Sequence, residues 1–257
     1  LAALYYRQGK YDRAELLYQE VLQARTVKQG PDHPRTLFTK SSLAQAYSSR
    51  GKYEQAEPLF WEALRAQTEK LGADHPDTLR SKHNLAVLYR DQGKYERAEP
   101  LLREAVEGLR QKLGLAHPNT QTCIRTLSGC YEGMKQPAKA ELLWRELAAI
   151  VKEKAGADAP AYAAQLAALG ANLLQQSKFA EAEPVLRESL AIRDKKEPDA
   201  WTTFNTKSML GGALLGQKKH TDAEPLLLQG YEGMKQRQAK IPADAKRYLI
   251  EALERPV

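Results

Sequence analysis

Five histidines, two cysteines and a group of cationic and amide side chains between Arg80 and Thr126 are the residues here with types suited to a site. His33, His75 and His117 each precede a proline and recur 42 residues apart, so they are one position of a repeated unit. Neighbouring copies of a stacked unit lie roughly 10 Å apart, whereas zinc needs its ligands within about 2.0–2.3 Å of one point. The three cannot share an ion and read as loop-packing residues. His220 stands in the slot held elsewhere by Tyr53 and reads as a packing replacement. Cys123 and Cys130 lie seven apart on one predicted helix, which separates their Cα atoms by roughly 10 Å, beyond disulfide reach. They read as reduced packing residues of a cytoplasmic chain.

No phosphate loop, nucleophile elbow or paired metal-ligand motif occurs. The chain is therefore read as a non-enzyme without metal or cofactor. The remaining group suits binding. Arg80, His83, Val87 and Arg90 recur at helical spacing and share one face. A guanidinium grips a carboxylate bidentately, and the amide of Asn84 can donate to and accept from a peptide backbone at once.

These residues are positioned by a pattern that repeats every 42 residues. Gly9-Lys10-Tyr11 returns as Gly51-Lys52-Tyr53 and Gly93-Lys94-Tyr95. An Ala-Glu pair recurs at Ala14, Ala56, Ala98, Ala140, Ala182 and Ala223, and the 41-residue last step removes one residue around 195–198. A period of about 20 to 50 residues marks a stacked array with an extended binding surface. The expected repeats are 1–34 (truncated), 35–76, 77–118, 119–160, 161–201 and 202–241, followed by a cap over 242–257. In that cap, Asp244 to Glu254 is predicted helical, with Tyr248, Leu249, Ala252 and Leu253 as its apolar residues. Leu1 falls mid-way along a first helix, so the missing half is expected upstream.

In the unit 77–118, Leu79, Leu85, Ala86, Leu88 and Tyr89 follow helical spacing over Thr78–Arg90. Gly93 offers the left-handed position that ends a helix. A second helix, Tyr95 to Leu113, turns Ala98, Leu101, Leu102, Ala105 and Leu109 to one side, and Leu115-Ala116-His117-Pro118 is read as the turn. Pro58, Pro100, Pro184 and Pro225 fall early inside second helices, where a bend without a break is expected. The total comes to about eleven to thirteen helices and no strands. No apolar run approaches the roughly 18 residues of a membrane span.

The pattern resembles the tetratricopeptide repeat. Leu43-Ala44-Gln45-Ala46-Tyr47 and Leu85-Ala86-Val87-Leu88-Tyr89 match its first-helix core, followed by Gly51, Tyr53 and Ala56, then Gly93, Tyr95 and Ala98. The 42-residue length, Gly93-Lys94-Tyr95-Glu96-Arg97-Ala98-Glu99-Pro100 and Leu71-Gly72-Ala73-Asp74-His75-Pro76 are similar to the kinesin-light-chain branch. Coverage runs from Leu1 to about Ile241. The resemblance implies an all-α right-handed solenoid of antiparallel helix pairs, with a concave groove lined by first helices. It also implies an asparagine at the Asn84 position that bonds an extended peptide, and cargo peptides with an aromatic flanked by acids.

On this reading the groove residues are Ser41, Gln45, Ser48, Arg80, His83, Asn84, Val87, Arg90, Arg125 and Thr126, with the three arginines as carboxylate grips. His83 projects toward that face as a ligand contact. The face turns bland at Ala164, Ala167, Ala168, Ala171 and Leu174. A net charge of +7 favours an acidic partner. The expected function is a protein-interaction scaffold that binds an acidic peptide. Two alternatives stand beside it: a regulatory segment of a larger multidomain signalling enzyme, and nucleic-acid binding through the basic surface. The latter is disfavoured because no five-residue Lys/Arg block occurs.

Overall fold

The computed structural model describes residues 1–242 and 245–254. Among these there are thirteen α-helices in successive pairs, one short 3-10 turn at Gln238–Lys240, and no strand. The chain divides into two compact units, Leu1–Met134 and Lys135–Val257, with the boundary inside the expected repeat 119–160.

The first unit holds α1 (Ala2–Arg7), α2 (Tyr11–Gln29), α3 (Pro34–Ser49), α4 (Tyr53–Leu71), α5 (Pro76–Asp91), α6 (Tyr95–Leu113) and α7 (Pro118–Gly133). The second holds α8 (Pro137–Ala155), α9 (Pro160–Gln175), α10 (Phe179–Lys196), α11 (Trp201–Gly216), α12 (His220–Gln236) and α13 (Arg247–Glu254). Within each unit every helix packs on the next in sequence. The crossing residue is alanine: Ala14, Ala56, Ala98, Ala140 and Ala182 are completely buried. Pro58, Pro100, Pro184 and Pro225 lie inside unbroken helices.

First helices start earlier than their apolar pattern indicates. α3, α5, α7 and α9 open on the proline itself, which needs no N–H donor at the first helical position. In three of them the preceding histidine is the cap. The Nδ1 atoms of His33, His75 and His117 accept from the backbone N–H of Arg35, Asp77 and Asn119 at 3.2, 3.2 and 3.1 Å. The repeated His-Pro pair is thus a helix-start signal, its lone pair satisfying one of the orphan donors.

At three places the glutamate of an Ala-Glu pair binds the lysine that opens the second helix of the next repeat. Glu15 accepts from Arg50 and Lys52, Glu141 from Gln176 and Lys178, and Glu183 from Gln217 and Lys219. Each glutamate follows a crossing alanine, and each lysine sits in the turn of the next unit. The hydrogen bonds from Lys178 and Lys219 are the largest influences holding Glu141 and Glu183 at about 2. At Glu57 the same role passes to Tyr89 and Arg97.

The turn before each second helix keeps a left-handed residue even where glycine is lost. Gly51 and Gly93 have φ of 72°, and Lys135, Ser177 and Lys218 at the equivalent positions have φ of 58°, 57° and 65°. The missing residue shortens α10 to 18 residues against 19 in α8, and Glu197 ends it in place of a positive-φ glycine. At the C-terminal end α13 packs on α11 and α12, where Tyr248 and Leu249 join Met234, Ile241 and Ala252. Tyr248 stacks on Trp201 with ring centroids 6.0 Å apart.

Three expectations need correction. Leu253 is 63% exposed and does not belong to the packed face of α13. That helix begins at Arg247, and Asp244, where it was expected to start, lies outside the described residues. His220 is exposed at the first position of α12 and fills no packing slot. At the equivalent place Tyr53 is half-buried; a smaller imidazole on the first helical turn stays in water.

Candidate binding groove

All ten sequence-selected residues fall in the unit Leu1–Met134, on α3, α5 and α7. α3 touches α5, and α5 touches α7, so their outward stripes form one face. Gln45 and Ser48 on α3 are half-buried, as are His83, Asn84, Val87 and Arg90 on α5 and Arg125 on α7. Arg80 is exposed. Ser41 and Thr126 are buried, which leaves them little surface for a ligand.

A pocket of about 100 Å³ opens between α1, α3 and α5. Gln45, Ser48, Asn84 and Val87 line it together with Tyr6, Phe60 and Asp91. Arg80, His83, Arg90, Arg125 and Thr126 do not line it. Tyr6, whose hydroxyl lies 2.9 Å from Ser49 Oγ, was missed because it comes from the short α1. Phe60 was missed because it is a core residue of α4, only 1% exposed, whose edge forms the floor.

His83 stitches α5 to α7 through a 3.1 Å contact from Nε2 to Thr126 Oγ1. The Thr126 hydroxyl spends its proton on the carbonyl of Thr122 at 3.0 Å, so the imidazole must be the donor. Burial pushes His83 down to about 4, the hydrogen-bonding side chain of Asn84, which favours the protonated ring, opposes this, and the nearby Arg90 charge adds to the fall. The ring is neutral at neutral pH. It is a positioned hydrogen-bond donor, with no charge of its own to offer.

The three arginines differ in what already holds them. Arg80 pairs with Asp77 at 2.9 Å and lies over the Phe38 ring, 5.9 Å from its centroid. Arg90 donates from Nε and Nη2 to Asp91 at 3.0 and 2.8 Å. Arg125 donates from Nη2 to Thr122 Oγ1 at 3.1 Å, and burial lowers its pKa. Among the described residues no carboxylate pairs with it.

The two cysteines are free and buried, and burial raises Cys123 to about 12 and Cys130 to about 11, which keeps both as unreactive thiols at neutral pH. Among the described residues no group of three or more histidine, cysteine, aspartate or glutamate side chains could hold a metal. No helix among them is long and apolar enough to cross a membrane.

Stacked helix pairs presenting a polar first-helix face define a helical-repeat array. The chain belongs to the tetratricopeptide repeat family: family models of the Tetratricopeptide repeat match residues 1–69, 43–111 and 77–153, and a further one matches 163–195. Among solved structures it is similar to a Podosopora anserina protein named for kinesin light chain, with nearly identical TPR-like repeats. Identity there is 26% over 77% of this chain and 93% of that one, with a TM-score of 0.69. BtubC (BKLC) from P. vanneervenii shares the fold at 18% identity, 92% coverage of both chains and a TM-score of 0.71. A Rap protein complexed with Competence and Sporulation Factor shares it at 15% identity, covering 98% of this chain and 72% of that one, with a TM-score of 0.62. A search of curated proteins found no match.

Proposed function

We propose that this chain is a protein-interaction scaffold that takes an acidic, extended peptide segment on the face of α3, α5 and α7. One observation carries the reading. Gln45, Ser48 and Asn84 converge from two adjacent first helices on a pocket whose apolar lining is Val87, Leu88 and Phe60. An extended peptide brings unpaired backbone N–H and C=O groups, and side-chain amides and hydroxyls on a rigid helical face satisfy both kinds. Asn84 pairs with that backbone while Val87 packs a side chain. The net charge of +7 draws an acidic segment toward the face. A partner-bound neighbour of the same fold, the Rap protein, supports the reading by analogy.

The test is selection of binding peptides from a display library on the whole chain, followed by Val87→Arg. The arginine fills the pocket from a half-buried position, so binding of the selected peptides is lost while the melting temperature hardly moves. If the variant binds them normally, the face is not the site, and the outer surface of the second helices becomes the better candidate.

A further inference from the structure

Resting on that peptide-binding reading, we infer that Arg125 is the one point of the groove that receives a carboxylate. The bound segment then carries a single aspartate or glutamate side chain there, and uncharged residues over the pocket, in place of an acidic run.

The argument is one of charge already committed. Arg80 and Arg90 are neutralised by carboxylates on their own helix, Asp77 and Asp91. A ligand acid reaching either would have to displace that aspartate or share the guanidinium with it, exchanging one ion pair for another and adding like-charge repulsion. Among the described residues, Arg125 has only a neutral hydroxyl, that of Thr122, as its partner. It is half-buried, so part of its hydration is already gone, and a carboxylate that pairs with it faces less further desolvation of the cation. Its sequence neighbour Thr126 is engaged by the neutral His83, which adds no second cation to attract a second acid.

The rest of the face fits this polarity. The pocket is lined by uncharged Gln45, Ser48, Asn84 and Val87, and its one charged wall is the Asp91 carboxylate. A second acid placed over the pocket would find the Arg90–Asp91 pair already closed and no uncommitted cation to receive it. An uncharged stretch there, with one acid toward α7, is the complementary pattern.

Two measurements on the whole chain test this. In the first, protein labelled with 15N-arginine is titrated with N-acetyl-glutamate methylamide, with the glutamine analogue as control. The Arg125 Nε–H resonance shifts and saturates with the glutamate probe alone, while those of Arg80 and Arg90 stay near their starting positions. Equal movement at Arg90, or none at Arg125, overturns the assignment. In the second, selected display peptides are compared on variants. They share one acid at a fixed place; Arg125→Gln weakens them about 10- to 100-fold, the worth of a charge-assisted hydrogen bond, and Arg90→Gln changes them less than about twofold. Arg125→Lys, which keeps the charge and loses the fork, falls between wild type and Arg125→Gln and guards against a folding artefact. Peptides that carry no fixed acid, or that ignore Arg125→Gln, overturn the inference yet leave the groove standing if Val87→Arg still abolishes them. If no peptide depends on the groove, the broader reading fails, and the glutamate titration alone decides whether Arg125 is an anion point.

Discussion

Replacing the left-handed residues that are not glycine should stabilise the chain, and replacing a glycine at the same place should destabilise it. Lys135, Ser177 and Lys218 hold φ between 57° and 65°, where Gly51 and Gly93 stand in earlier turns. An L side chain there costs about 1–2 kcal/mol, and glycine carries about 0.5–1 kcal/mol of extra unfolded-chain entropy. The difference gives Ser177→Gly a gain of about 0.5–1 kcal/mol. Ser177 is exposed, so its side chain takes no buried packing with it. The reverse change is equally clean. A Cβ added at Gly51 meets nothing within 4 Å, so Gly51→Ala isolates the backbone cost, about 1 kcal/mol. For a chain of this size 1 kcal/mol moves the melting temperature by about 2–4 °C. Calorimetric scans of Ser177→Gly, Gly51→Ala and the parent at one protein concentration should therefore order as listed by sign: up, down, reference. A Ser177→Gly protein that melts below its parent, or a Gly51→Ala protein that melts with it, refutes the reasoning, because no packing term is present to cancel the backbone term.

Further outcomes follow from the packing and the ladder. Ala98→Leu overpacks a completely buried crossing and costs about 1–3 kcal/mol, whereas Lys94→Ala on the exposed turn changes little; matched urea titrations separate them. Glu141 and Glu183 sit at about 2 in the folded chain, below the ordinary 4.5, so their stabilisation is full above 4.5 and drains as pH falls from there toward 2. Glu141→Gln with Glu183→Gln should lower stability at neutral pH and flatten its loss over that acid window, read as melting temperature against pH. Gln165 is buried with an unpaired Oε1 and one weak 3.4 Å bond from its amide to the Ala161 carbonyl. Gln165→Met should raise stability by about 1 kcal/mol in the same denaturant assay.

Much of this protein was readable from its one-dimensional pattern, because a stacked repeat is built from local rules. The crossing alanines, the positive-φ glycines and the helix spans of second helices such as Tyr95–Leu113 depend on a few neighbours in sequence, and the 42-residue period writes each rule several times over. Exposure along the candidate face was readable only in part: Gln45, Ser48, Asn84, Val87 and Arg90 keep some surface opposite the Leu/Ala stripe, whereas Ser41 and Thr126 are buried. The three-dimensional arrangement decided what the pattern leaves open. His33, His75 and His117 became helix caps because a proline at the first helical position fixes the imidazole beside a free backbone N–H. Glu15, Glu141 and Glu183 of the Ala-Glu pairs turned out to form ion pairs with Lys52, Lys178 and Lys219 of the following repeats. The three arginines, equal as letters, were separated by their partners: Asp77 and Asp91 lie close enough to neutralise two, and among the described residues the third is reached by the hydroxyl of Thr122 alone. Coulomb energy depends on distance and on the water between charges, and neither is written in the order of residues.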